Sequence, residues 1–98
     1  MTLIRLPIPD QKVPTFGEAA ALVQAVIGVL DAGGNVVLAC MGGLGRSGMM
    51  GACVLAALGM EPAAAIDAVR EARGPRAVET VAQEEFVSEF AAYVRLRS

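Results

Sequence analysis

One stretch of sixteen residues limits what this chain can fold into: residues 35–50, Asn-Val-Val-Leu-Ala-Cys-Met-Gly-Gly-Leu-Gly-Arg-Ser-Gly-Met-Met. Residues 36–39 are too few and too apolar for a surface helix, so they predict a buried strand. Four glycines between positions 42 and 48 favour a loop, and the apolar residues after Arg46 favour a helix. Inward-turned N–H groups of such a loop, together with the positive end of a helix, attract an anion. The stretch therefore predicts a strand, an anion-binding loop and a helix.

Cys40 and Arg46 stand at the two ends of this loop. A cysteine close to a helix N-terminus and a cation is held as thiolate, with a pKa between about 3.5 and 7.5. The guanidinium of Arg46 can grip two oxygens of a phosphate, and a cation between two apolar runs needs an anionic partner. The plainer interpretations are a small buried hydrophobe for Cys40 and a surface charge for Arg46. The spacing favours a phosphate site with a reactive thiol.

The composition of the chain limits the functions that the loop can have. With 98 residues and 55% hydrophobic content, the chain is expected to form a single small domain over residues 1–98. A net charge of −2 gives no electrostatic reason to expect nucleic acid or a membrane surface as a partner. The absence of histidine excludes Cys–His and Ser–His dyads and histidine-rich metal sites. No signal-peptide pattern begins the chain, and two cysteines suit a reducing cytoplasm better than a disulfide scaffold.

Hydrophobic patterning predicts the other elements. The first strand, the first helix and the second strand should form one crossover unit with parallel, adjacent strands. Because parallel strands end at the same edge of a sheet, Asp10 is expected near Cys40. Aromatic residues at helical spacing predict one buried face on the last helix. The predicted strands are 3–6 and 36–39; the helices are 15–31, 46–58, 63–73 and 79–95, the last with Phe86, Phe90, Tyr93 and Val94 on its buried face.

Other polar residues have two interpretations each. Thr80-x-x-Gln83 has the spacing of a capping box, while the position of Gln83 near the predicted rim also suits a site residue. Asp10 stands between prolines and could be a turn residue only. Arg73 and Arg76 are more typical of solvated loop charges than of ligands. Cys53 lies among Ala and Val in a helix, which indicates core packing.

The loop also fits a rival function. Gly43-x-Gly45-x-x-Gly48 follows a strand and opens a helix, which is the dinucleotide-binding fingerprint. That fingerprint requires a further strand ending in an acidic residue. The next segment here is alanine-rich and helical, so this function ranks below phosphate binding.

The segment from Cys40 to Arg46 resembles the Cys-x5-Arg signature of protein tyrosine and dual-specificity phosphatases. The wider Cys-Met-Gly-Gly-Leu-Gly-Arg-Ser-Gly is similar to the compact kinase-associated-phosphatase branch. Residues 6–10 resemble the general-acid loop of this family, residues 69–73 its returning helix, and residues 79–86 the segment with its water-positioning glutamine. The resemblance implies an α/β, minimal cysteine-phosphatase fold, in which a small parallel sheet (βαβ) with a phosphate loop is followed by three helices.

The resemblance also implies a two-step mechanism without metal or cofactor. Cys40 would be the nucleophile, Asp10 the general acid and then base, and Ser47 a hydrogen-bond donor to the thiolate. Gln83 would orient the hydrolytic water. The substrate would be a phosphorylated protein or a small phosphomonoester, and phosphate, vanadate or sulfate should bind the same loop. The phosphate-binding residues would be Met41, Gly42, Gly43, Leu44, Gly45 and Arg46.

Two departures from the family pattern leave alternatives open. Ala39 precedes the cysteine where the family usually has histidine, and the elements that usually precede the acid loop are lacking. Because a two-stranded sheet is marginal unless helices cover it, either the fold is a genuine minimum or another copy or fragment completes the sheet. The alternatives are a catalytically silent phosphate-binding module and a thiol enzyme like rhodanese or arsenate reductase.

Overall fold

The computed structural model describes residues 2–5, 14–39, 45–75, 77–78 and 80–97. Strands β1 and β2 are parallel neighbours, in a register that sets Thr2 opposite Val36 and Arg5 opposite Ala39. Strand β1 starts and ends one residue earlier than the predicted strand. In chain order the elements are β1 (Thr2–Arg5), α1 (Phe16–Asp31), β2 (Val36–Ala39), α2 (Gly45–Ala57), α3 (Pro62–Arg73) and α4 (Val81–Arg97).

Helix α1 has the ends that the sequence predicts. Thr15 is its N-cap: the Thr15 hydroxyl accepts the Glu18 backbone N–H at 3.1 Å, and the Thr15 N–H donates to Glu18 Oε1 at 2.8 Å. The helix ends at Asp31, and Gly33 then takes a φ of 82°. That left-handed conformation favours glycine, so the chain can turn there towards β2.

Helix α2 is the buried helix that the apolar run predicts. Its packing partners are mainly α3 and α4, and to a lesser extent α1. It ends at Ala57, and Gly59 follows with a φ of 109°. Its most buried apolar residues, each at most 8% exposed, are Met49, Met50, Ala52, Cys53, Val54 and Ala56.

Helix α4 covers the core with the predicted aromatic face. Phe86 and Phe90 are buried, and the Tyr93 and Phe86 rings lie 5.1 and 5.4 Å from the ring of Phe16 on α1. The helix starts at Val81, two residues later than predicted, because Thr80 acts as its cap. Within the described part of the chain, none of the four helices combines the length and hydropathy that a membrane span requires.

Candidate functional site at the start of helix α2

The predicted site residues fall into two groups. Asp10, Cys40 and residues 41–44 lie outside the described residues, whereas Gly45 and Arg46 form the first turn of α2. Residues 40–44 therefore join the end of β2 directly to the start of α2. Because Arg5 and Ala39 are opposite each other in the sheet, the segments that follow β1 and β2 leave it at the same end.

The first turn of α2 is closely covered by another part of the chain. Ser47 is 2% exposed, and Gly48 packs against the backbone of Ala77. A Cβ at position 48 would lie 1.4 Å from the Ala77 carbonyl oxygen, so only glycine fits there. The start of α2 is thus held at a backbone-to-backbone contact with residues that follow α3.

Ala77 makes that contact. It belongs to the described residues between α3 and α4, which are 74, 75, 77, 78 and 80 and which we call the α3–α4 connection. Ala77 and Val78 in this connection are 0% and 1% exposed. On α3, Arg70 Nη2 donates to the Val78 carbonyl at 2.7 Å and to Glu84 Oε2 at 3.1 Å. One guanidinium therefore joins the connection to both helices that flank it.

The sequence analysis did not single out Arg70, and it considered Arg73 and Arg76 to be solvated loop charges. Arg73 is exposed, as the solvated interpretation predicts, and Arg76 lies outside the described residues. A signal for Arg70 did exist: it follows Ile66 by four residues and Val69 by one, and both are buried. An arginine beside the buried stripe of a helix needs a polar partner for its head group.

Gln83 forms the capping box that its spacing with Thr80 predicts. The Thr80 N–H donates to Gln83 Oε1 at 3.2 Å, and the Gln83 N–H donates to the Thr80 hydroxyl at 3.1 Å. Gln83 is 0% exposed. The capping interpretation is therefore confirmed, and the water-positioning role stays a prediction.

Cys53 is the core residue that its surroundings predict. The side chain is 0% exposed and is a free thiol. Burial raises the pKa of this thiol to about 12, so it is neutral at physiological pH. Since the thiolate is the nucleophilic form, Cys53 is unsuited to catalysis.

A groove of about 670 Å³ between α3 and α4 is not the predicted site. Of the predicted site residues that the structure describes, none lines it. Its walls carry one cation, Arg70, against four carboxylates, and the net negative charge repels a phosphate. The carboxylates belong to Asp67, Glu84, Glu85 and Glu89. An oxyanion is better suited by the positive end of α2.

The sequence and the fold are similar to those of known phosphatases. Residues 1–60 match a family model described as "Tc-R-P: Polymorphic toxin system, DSP-PTPase phosphatase". The chain is 35% identical over 97 residues to cyclin-dependent kinase inhibitor 3 of Rattus norvegicus, covering 93% of this chain and 46% of that protein.

Two solved structures share the fold. A kinase associated phosphatase with its catalytic-site cysteine replaced by serine aligns with a TM-score of 0.83 and 30% identity, covering 91% of this chain and 51% of that one. A glycine-to-alanine mutant of Tk-PTP gives 0.82 and 32%, covering 91% and 59%. The chain spans about half the length of these relatives. The protein has the α/β fold of these phosphatases and belongs to the DSP-PTPase phosphatase family.

Proposed function

We propose that this chain is a cysteine-dependent phosphatase that hydrolyses phosphomonoesters. The observation that carries the proposal is the position of Arg46 in the first turn of α2, six residues after Cys40 in a sequence where β2 ends at Ala39. A Cys-x5-Arg segment between a strand and a helix N-terminus presents loop amides, a helix dipole and a guanidinium to one anion.

The proposed first step is an in-line displacement at phosphorus. The Cys40 thiolate forms a bond to phosphorus as the bond to the ester oxygen breaks, and Asp10 gives that oxygen its proton. The amides of residues 41–46 and the Arg46 guanidinium bind the three remaining oxygens while their charge redistributes. The products of this step are the free alcohol or phenol and a cysteinyl-phosphate.

The proposed second step restores the enzyme. A water molecule attacks phosphorus, Asp10 now accepts its proton, and the sulfur leaves as thiolate. Ser47 would donate a hydrogen bond to that thiolate and ease its departure, and Gln83 would orient the water. The buried position of Ser47, one residue beyond Arg46, supports its part in this scheme.

The finer description of the fold is part of the same proposal. Residues 1–98 would form one phosphatase-like domain, with a small βαβ sheet, the phosphate loop and three following helices. The likeness to a kinase associated phosphatase supports a phosphorylated protein as substrate, with phosphotyrosine or dual specificity. A nucleophilic thiolate of this kind is best preserved in a reducing cytoplasm.

A phosphate-binding module without turnover is the second candidate. One observation favours it: Ala39 stands where the family usually has histidine. Such a module would keep the loop and its affinity for oxyanions. It would release no alcohol from a phosphomonoester.

Hydrolysis of para-nitrophenyl phosphate separates the two candidates. We expect the wild-type chain to release nitrophenol and Cys40→Ser to abolish release, because a serine hydroxyl is not ionised at neutral pH. Cys53→Ala is the matched control, since the pKa of that thiol is about 12 and the variant should keep its turnover. Vanadate and phosphate should inhibit a phosphatase competitively. A thiol enzyme like rhodanese or arsenate reductase is not expected to show this inhibition.

Two outcomes would contradict the proposal. Residual hydrolysis by Cys40→Ser would exclude Cys40 as the nucleophile. A wild-type chain that is inert but binds vanadate would establish the binding module instead.

A further inference from the structure

We propose that Arg70 is a positioning residue for the phosphate site. Its guanidinium fixes the α3–α4 connection against the first turn of α2, and so sets the geometry in which Arg46 meets an oxyanion. The inference rests on the proposed function, because it concerns the site at the start of that helix. It adds a residue that does not itself touch the substrate.

The first step of the argument is the contact that Arg70 makes. The same Nη2 atom donates to the Val78 carbonyl at 2.7 Å and to Glu84 Oε2 at 3.1 Å. Arg70 lies on α3 and Glu84 on α4, while Val78 lies between these helices in sequence. A single charged donor thus links the connection to both helices. Hydrogen bonds from a charged donor are stronger than those between neutral groups.

The second step is the contact from the connection to α2. The Ala77 carbonyl lies against Gly48, with no room even for a methyl group at position 48. Ala77 and Val78 are both almost fully buried. Close-packed interiors transmit displacement, so a shift of Val78 reaches Gly48 through one neighbouring residue. Gly48 is two residues from Arg46 on the first turns of the same helix.

The third step concerns how much Arg70 contributes to the overall stability of the protein. The side chains of Arg70 and Glu84 are 30% and 44% exposed. Ion pairs at that exposure contribute little to overall stability because solvent screens them. The hydrophobic core between α2 and α4 does not include Arg70. Substitution of Arg70 should therefore alter the position of the connection more than the fraction of folded protein.

The test compares Arg70→Met with Arg95→Met. Arg95 is the matched control because it forms an exposed ion pair with Glu61 at 3.3 Å, at the other end of α3. Steady-state kinetics with para-nitrophenyl phosphate, and inhibition by vanadate, are measured at a temperature at which every variant is fully folded. We expect Arg70→Met to lose about 10- to 100-fold in kcat/KM and in vanadate affinity, as small misplacements of catalytic groups do. Arg95→Met should match the wild type.

Two further measurements distinguish positioning from a general loss of structure. Arg70→Lys keeps one charged donor that can reach the Val78 carbonyl, so it should restore part of the lost vanadate affinity. Hydrogen exchange should become faster in Arg70→Met at residues 77–78 and 47–50 together, and stay unchanged in the middle of α4. Faster exchange throughout the chain would overturn the proposal, because it would indicate destabilisation alone.

Failure of this inference differs from failure of the proposed function. An active wild type in which Arg70→Met and Arg95→Met have equal vanadate affinity and equal kcat/KM overturns the role of Arg70 only. A wild type that does not hydrolyse the ester, and whose unfolding temperature is not raised by vanadate, overturns both the role of Arg70 and the proposed function. An inert wild type whose vanadate affinity still falls in Arg70→Met supports the positioning role in a binding module.

Discussion

The two ends of α3 are connected to the rest of the molecule in different ways. At its start, residues 58–61 form an exposed turn in which Leu58 is 59% and Met60 37% exposed, and backbone hydrogen bonds to the end of α2 hold it. At its end, the α3–α4 connection is buried at Ala77 and Val78.

The buried connection is fixed from three sides. It contacts α2 through Gly48, α3 through Arg70 and α4 through the Thr80 capping box. The exposed turn reverses the chain and requires only a glycine with positive φ. The connection also contacts α2 at Gly48, two residues beyond Arg46. Binding and catalytic residues often lie on segments that a rigid scaffold positions.

The largest effect is expected where the connection meets α2. Gly48→Ala would place a methyl carbon 1.4 Å from the Ala77 carbonyl oxygen, so either the helix or the connection must move. Overpacking against side chains costs about 1–3 kcal/mol, and backbone yields less readily, so we expect a loss of about 3 kcal/mol or more. Urea denaturation followed by circular dichroism measures this free energy of unfolding.

Gly51→Ala is the control for that experiment. It lies one turn further along α2, and a Cβ there would meet Val69 Cγ2 at an ordinary 3.7 Å. Alanine is a better helix former than glycine, so this variant should gain up to about 1 kcal/mol. If Gly48→Ala were as stable as Gly51→Ala, the connection would not be pressed against α2, and the comparison between the two ends of α3 would lose its basis.

The same contrast explains which features the sequence could predict. The capping box at Thr15, the glycines after α1 and α2, and the aromatic stripe on α4 are local patterns, and each was recognised from a few neighbouring residues. The contact between Gly48 and Ala77 joins positions 29 residues apart (77 minus 48), and nothing in either segment identifies the other.

Arg70 shows the same limit. Its helix could be predicted, and so could its place beside the buried stripe. Its partner Val78 could not, because a backbone carbonyl looks the same at every position of a sequence. For Gln83, local pattern predicted the capping box correctly, while a catalytic role depends on its distance from a bound phosphate. The order of strand and helix was also predicted correctly, because α2 begins shortly after β2 ends. That a phosphate site lies between them stays a prediction.

The next effect in size compares two capping boxes of the same spacing. Thr80→Ala removes the acceptor for the buried Gln83 N–H, whereas Thr15→Ala removes the acceptor for the exposed Glu18 N–H. N-cap losses are about 0.5–2 kcal/mol, and we expect Thr80→Ala near the upper limit and Thr15→Ala near the lower, because water replaces the lost acceptor only at the exposed site. Urea midpoints of the two variants measure the difference. Equal losses would show that the α3–α4 connection is no better shielded than the start of α1.

The smallest expected effect is a difference in how the stability contributions of the two capping boxes depend on pH. The Thr15 backbone N–H, and then its hydroxyl, lower the pKa of Glu18 below 4.5, although the carboxylate is fully exposed. A carboxyl whose pKa is lower in the folded state stabilises the protein above its unfolded pKa, and this contribution is lost as the pH falls through the folded value. The stability difference between wild type and Glu18→Gln should therefore be constant near neutral pH and change as the pH falls below 4.5.

Thr80→Ala provides the contrast, because the side chain of Gln83 does not titrate. Its stability loss relative to wild type should stay the same from neutral pH to the acid range in which the Glu18 contribution disappears. Urea midpoints at a series of pH values measure both differences on the same chain. A Thr80→Ala loss that shrinks with acid would mean that a titrating group helps to hold the connection. The stability of the α3–α4 connection would then depend on pH. The Thr80–Gln83 capping box alone cannot cause such a dependence, because neither side chain titrates.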